Sequence, residues 1–122
     1  MSEGLIGIPS DDVTLDVDAL VAAALARWPG ASTYRYESGV VELTLSDPER
    51  DARLDLAFHA GGQAVGLDGW GAELAADAVA WLVRAADVPP EAGAVLVGWG
   101  SDAVPLDRST TTEGLLAVNA AW

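Results

Sequence analysis

The sequence predicts an α+β domain: a mainly antiparallel sheet of about five strands with helices packed on one face, in the order α-β-β-β-β-α-β-α. Three features predict it. Two stretches carry apolar residues at helical spacing, the short stretches between them alternate apolar with polar residues, and glycine or proline punctuates the junctions. Helices apolar on one stripe and strands apolar on one face are buried together when the helices back the sheet.

Residues 1–14 read as an irregular N-terminal arm ending in Asp11-Asp12, and residues 15–122 as a single domain. Asp16 offers a side-chain acceptor to the free N–H groups of a helix over Val17–Arg27. Val17, Leu20, Val21, Ala24, Leu25 and Trp28 form one continuous apolar stripe along it. Pro29 disfavours helical geometry at Trp28, and Gly30 permits the turn that follows.

Ser32–Tyr36 is rich in strand formers, and Glu37-Ser38-Gly39 turns the chain. Val41, Leu43 and Leu45 then alternate with Glu42 and Thr44; beyond the Asp47–Asp51 loop, Leu54, Leu56 and Phe58 alternate with Arg53, Asp55 and Ala57. Matching the inward sets places Leu45 beside Leu54, Leu43 beside Leu56 and Val41 beside Phe58. The outer face then pairs Ser46 with Arg53 and Thr44 with Asp55, whereas a two-residue slip would face Glu42 with Asp55. Gly61-Gly62 turns the chain into a fourth strand, Gln63–Leu67, with Val65 and Leu67 inward.

A second helix spans about residues 72–86, with Leu74, Ala78, Trp81, Leu82 and Ala85 as its stripe and Glu73 and Asp77 near its positive end. Val88-Pro89-Pro90 ends it. Ala94–Trp99 shows little alternation, as expected of a fifth strand buried on both faces. Thr110-x-x-Glu113 has the spacing of a capping box ahead of a short last helix carrying Leu115, Leu116, Val118 and Trp122, although Gly114 weakens it.

Composition bounds the function. With 122 residues there is one core, and 51% apolar residues exclude a disordered chain. Six Arg, no Lys and 19 Asp plus Glu leave a net charge of −13, which opposes binding to nucleic acid or to an anionic membrane. The absence of Cys excludes disulfides, thiolate metal sites and Cys nucleophiles. The first residues show no basic, apolar leader and no stretch spans a bilayer, so a cytoplasmic location is expected.

Four constellations invite chemistry. Gly66–Gly71 is a Gly-rich link between a strand and a helix, where backbone N–H groups hold phosphates in other proteins, but its spacing matches no nucleotide fingerprint and Asp68 and Glu73 flank it with negative charge. His59, the one imidazole, shares a strand face with Asp55 and would be the base of a small enzyme if a hydroxyl nucleophile lay nearby. Asp47, Glu49 and Asp51 alternate as calcium ligands do, yet the central Gly and the Glu at position twelve of such a loop are missing. No cofactor and no metal are therefore expected. Trp70 and Trp99 each sit between glycines, either plugging the ends of the core or standing out as aromatic anchors.

Acids occur in every segment, so the charge is a field over the whole surface. Such a field speeds encounter with basic proteins and filters out wrong partners. The expected function is a non-enzymatic interaction module that binds and masks a basic protein, like immunity proteins or secretion chaperones in charge and size alone. Its expected contacts are Asp47, Glu49, Asp51, Asp68 and Asp102, with Trp70 and Trp99 as anchors. The rival expectation is a small enzyme or ligand-binding domain using His59 with Asp55 or the Gly66–Gly71 turn. The chain is expected as a monomer or a homodimer.

Overall fold

A computed structural model describes residues 2–122. Along the chain lie strand β1 (Ser2–Gly7), helix α1 (Val17–Arg27), strands β2 (Ser32–Arg35), β3 (Val41–Asp47), β4 (Ala52–Phe58) and β5 (Ala64–Trp70), and helix α2 (Ala72–Ala85). A 3-10 turn at Pro90–Ala92, strands β6 (Val95–Val97) and β7 (Val104–Pro105), and helix α3 (Thr112–Val118) complete it. The fold is α+β. All seven strands form one sheet in the order β2-β3-β4-β5-β1-β6-β7, antiparallel at each pairing.

The alternating stretch folds in the register that burial demands. Leu45 pairs with Leu54, Leu43 with Leu56 and Val41 with Phe58, and on the other face Ser46 meets Arg53 and Thr44 meets Asp55. All six inward residues are buried, because one slip would move each of them to the outer face. Asp16 caps α1 by accepting the Ala19 N–H at 3.2 Å.

Four expectations need correction. Residues 2–7 are a strand inside the sheet and not part of an irregular arm: β1 pairs with β5 on one side and β6 on the other. Its few large residues, Leu5 and Ile6 between Gly4 and Gly7, carry too short an alternation to read; pairing of backbone N–H and C=O groups on both edges makes the strand. With the two-residue edge strand β7, this gives seven strands where about five are expected. Next, β5 runs on through Trp70, so residues 66–70 continue the sheet and only Gly71 links it to α2. Strand β6 is covered on one face alone, with Leu96 buried and Val97 50% exposed. Lastly, Thr111 caps α3 by accepting the Gly114 N–H, while the Thr110 hydroxyl accepts the Asp107 N–H.

The core lies between the sheet and α2. Ten of that helix's fourteen residues are buried, far beyond a single stripe: α3 and the sheet pack against it, and side chains at the end of α1 reach it as well. Trp28 of the α1 end meets Trp81 edge-on at 5.1 Å between ring centres, and Arg27 bonds Asp77 through both carboxylate oxygens at 3.0 and 3.1 Å. Between α3 and the sheet, Trp99 stacks on Trp122 at 5.6 Å and donates its indole N–H to the Leu115 carbonyl at 2.8 Å. Among the described residues no helix is long and apolar enough to cross a membrane.

Candidate functional site

Strand geometry sends alternate side chains to opposite faces, and in this sheet only one face is covered. Opposite the core, the outward residues of β2 to β6 form three rows across the strands. Thr44, Asp55, Asp68 and Glu3 lie in register side by side. Below them run Tyr34, Glu42, Ala57, Gly66, Leu5 and Val97. Above them, at the strand ends, Ser46, Arg53 and Trp70 are neighbours.

This face is apolar and anionic at once. Among the described residues seven large apolar side chains are exposed, and five of them stand here: Leu5 (42%), Tyr34 (62%), Tyr36 (44%), Trp70 (40%) and Val97 (50%). Between them are the carboxylates of Glu3, Glu42, Asp55 and Asp68, with Arg53 as the one guanidinium on the face among the described residues. Tyr34 and Tyr36 pack edge to face at 4.7 Å, and the Tyr36 hydroxyl donates to Glu42 at 3.4 Å. The negative charge of Glu42 holds the Tyr36 hydroxyl above the usual tyrosine range. Asp55 accepts from the Thr44 hydroxyl at 2.8 Å and from Arg53 at 3.4 Å.

At the centre of the face lies a depression of about 290 Å³. Ala57 and Gly66 floor it, and Glu3, Glu42, Asp55 and Asp68 wall it. One oxygen of Asp68 is buried without a hydrogen-bond partner. Buried carboxylate oxygens ordinarily find a donor, so this acceptor stands out.

The residues expected from sequence to make contacts are distributed unequally. Asp68 and Trp70 stand on the open face. Asp47, Glu49 and Asp51 occupy the β3–β4 turn, and Asp102 the β6–β7 loop. Strand direction puts both connections at the same end of the sheet as Trp70, but several strand spacings apart, on the order of 20 Å. Asp47 is engaged: Arg50 bonds it at 2.5 Å and reaches Glu73 at 2.9 Å, holding the Asp47 carboxyl below its ordinary range. Glu49, Asp51 and Asp102 are exposed. Trp99 must be corrected as an anchor, since its ring is 0% exposed and sits in the core.

The catalytic alternative finds little geometry. His59 is exposed, with no side-chain hydrogen bond among the described residues, and Asp55 is turned to Thr44 and Arg53 instead. At the start of α2, the surface depression holds Arg50, but that guanidinium is already spanned by Asp47 and Glu73. Among the described residues no three His, Cys, Asp or Glu side chains are arranged to hold a metal ion.

Leu5, Val97, Tyr34, Tyr36, Glu3 and Glu42 escaped the reading as site residues. Leu5 and Glu3 lie in the stretch whose sequence reads as an irregular arm, and nothing local says that β5, β1 and β6 lie side by side. The outward alternation of Tyr34 and Tyr36 was the one available signal. Compared with known proteins, the chain matches no family model, no curated protein and no solved structure.

Proposed function

We propose that the protein is a non-enzymatic interaction module that binds and masks a basic protein partner through the open face of its sheet. One observation carries the reading: five of the seven large apolar side chains exposed among the described residues share that uncovered face with four carboxylates. Apolar surface gathered on one face favours burial against a second body, at roughly 25 cal/mol per Å². The carboxylates select the charge of that body. The net charge of −13 draws a basic protein in from a distance and opposes stacking of two copies on this face.

Tyr34, Tyr36 and Trp70 are suited to anchor the contact, since aromatic rings dominate binding energy at interfaces. The turn acids Asp47, Glu49 and Asp51 and the loop acid Asp102 lie along one rim, where charge acts on the association rate more than on the dissociation rate.

Photo-crosslinking in the source cells tests the proposal. A photoreactive residue at Tyr34 is expected to trap a protein of net positive charge, and one at Leu25 on the exposed side of α1 is not. Trapping from Leu25 alone, or of an acidic partner, would overturn the reading.

A further inference from the structure

The interior strands of the sheet are hydrogen-bonded on both edges, so a partner meets the open face through side chains and not through a new strand. The question is which side chain fits the middle. Gly66 lies within a strand, where glycine weakens the sheet, and it has no steric excuse. A Cβ built there would touch only the Ala57 methyl, at an ordinary 3.7 Å. Gly7, on the same face, would meet nothing within 4 Å. Contrast Gly69 and Gly98, where a Cβ would run into the Arg53 and Glu3 carbonyl oxygens. Glycine at position 66 is therefore unexplained by the fold itself, and glycine in a strand often marks the close approach of another body.

We infer that the depression over Gly66 and Ala57 receives an arginine side chain of the basic partner. Such a site rests on the open face being a docking surface, and three features choose the occupant. The walls are carboxylates, three of which, on Glu3, Glu42 and Asp68, have no basic partner among the described residues. Asp68 holds an unpaired buried oxygen, and its terminal torsion, broad and two-fold, lets that oxygen turn to a donor lying in the depression. The floor is shallow and small, which suits a flat group. A guanidinium is planar, carries five donors in a fork that matches carboxylates, and sheds its water more readily than an ammonium.

Titration of the full-length, isotope-labelled protein with N-acetyl-arginine amide, followed by backbone amide NMR, tests this. Saturable shifts centred on Ala57, Gly66 and Asp68 are expected, stronger with arginine than with N-acetyl-lysine amide, and absent with the neutral N-acetyl-citrulline amide. Asp68→Asn is expected to weaken the arginine response about tenfold, the size of one charge-assisted hydrogen bond. Asp11→Asn, which removes the same charge elsewhere, is expected to leave it unchanged. Gly66→Val fills the depression and is expected to abolish the response while thermal unfolding shows an intact fold.

Equal responses to arginine and lysine, shifts scattered over acidic loops, or a response that survives Gly66→Val would each overturn the inference. The two proposals fail separately. Persistent crosslinking of a basic partner at Tyr34 with no arginine response would remove the anchor and leave the docking face standing.

Discussion

Two tryptophans in nearly identical sequence settings meet opposite fates. Gly69-Trp70-Gly71 and Gly98-Trp99-Gly100 look alike, yet Trp70 stands on the open face and Trp99 is fully enclosed, stacked on Trp122 with its N–H satisfied by Leu115. Trp99→Ala is therefore expected to cost about 3–5 kcal/mol of stability by urea unfolding, as large core truncations do. Trp70→Ala is expected to cost about 1 kcal/mol or less and to weaken partner binding instead. Charges at single residues have a readable sign as well. Arg50 and the Ser109 hydrogen bonds hold the Asp47 and Asp107 carboxyls below their ordinary range, so each contributes stability at neutral pH. That contribution is present above the unfolded carboxyl pKa and is lost as pH falls through the folded one. Asp47→Asn and Asp107→Asn should thus lie below wild type in urea midpoint at pH 7 and approach it only as pH falls below the ordinary carboxyl range. Tyr36 runs the other way: Glu42→Gln is expected to lower its titration towards the usual tyrosine range, measured by ultraviolet absorbance at high pH.

At the scale of elements, the hairpin of β3 and β4 was fully legible. Three alternating apolar residues face three across a short loop, and only one register buries all of them. The helices α1 and α2 were legible because their apolar spacing and breakers are local, and α1 adds a local side-chain cap in Asp16. Strand β1 was not. Its pairing partners are about sixty and ninety residues away along the chain, and neither Gly4 nor Gly7 carries a pattern. Yet β1 joins the two parts of the sheet, so Ile6→Ala is expected to lower stability by about 2–5 kcal/mol despite its place near the start of the chain. Glycines within one strand differ likewise. Gly69→Ala drives a methyl into the Arg53 carbonyl and should destabilise by about 1–3 kcal/mol, whereas Gly66→Ala should be neutral or stabilising. Thermal unfolding of the pair checks this contrast.

Over the whole molecule, charge acts with two signs. A net charge of −13 repels itself in the compact state and attracts a basic partner from outside. Added salt screens both, with a Debye length falling from about 30 Å at 0.01 M to about 8 Å at 0.15 M. The thermal midpoint of the isolated protein is therefore expected to rise with sodium chloride, while the association rate with its partner falls; a midpoint independent of salt would show that self-repulsion is negligible. Composition, charge, helix positions and the central hairpin register were written locally in the chain, because each follows from the residue spacing of an element and its nearest neighbours. Which strands lie side by side, which tryptophan is enclosed and which face stays uncovered came only with the assembled sheet. Those properties depend on contacts between segments far apart in sequence, and on how many layers the available helices can supply: the described helices cover one face of the seven strands, and the other stays open.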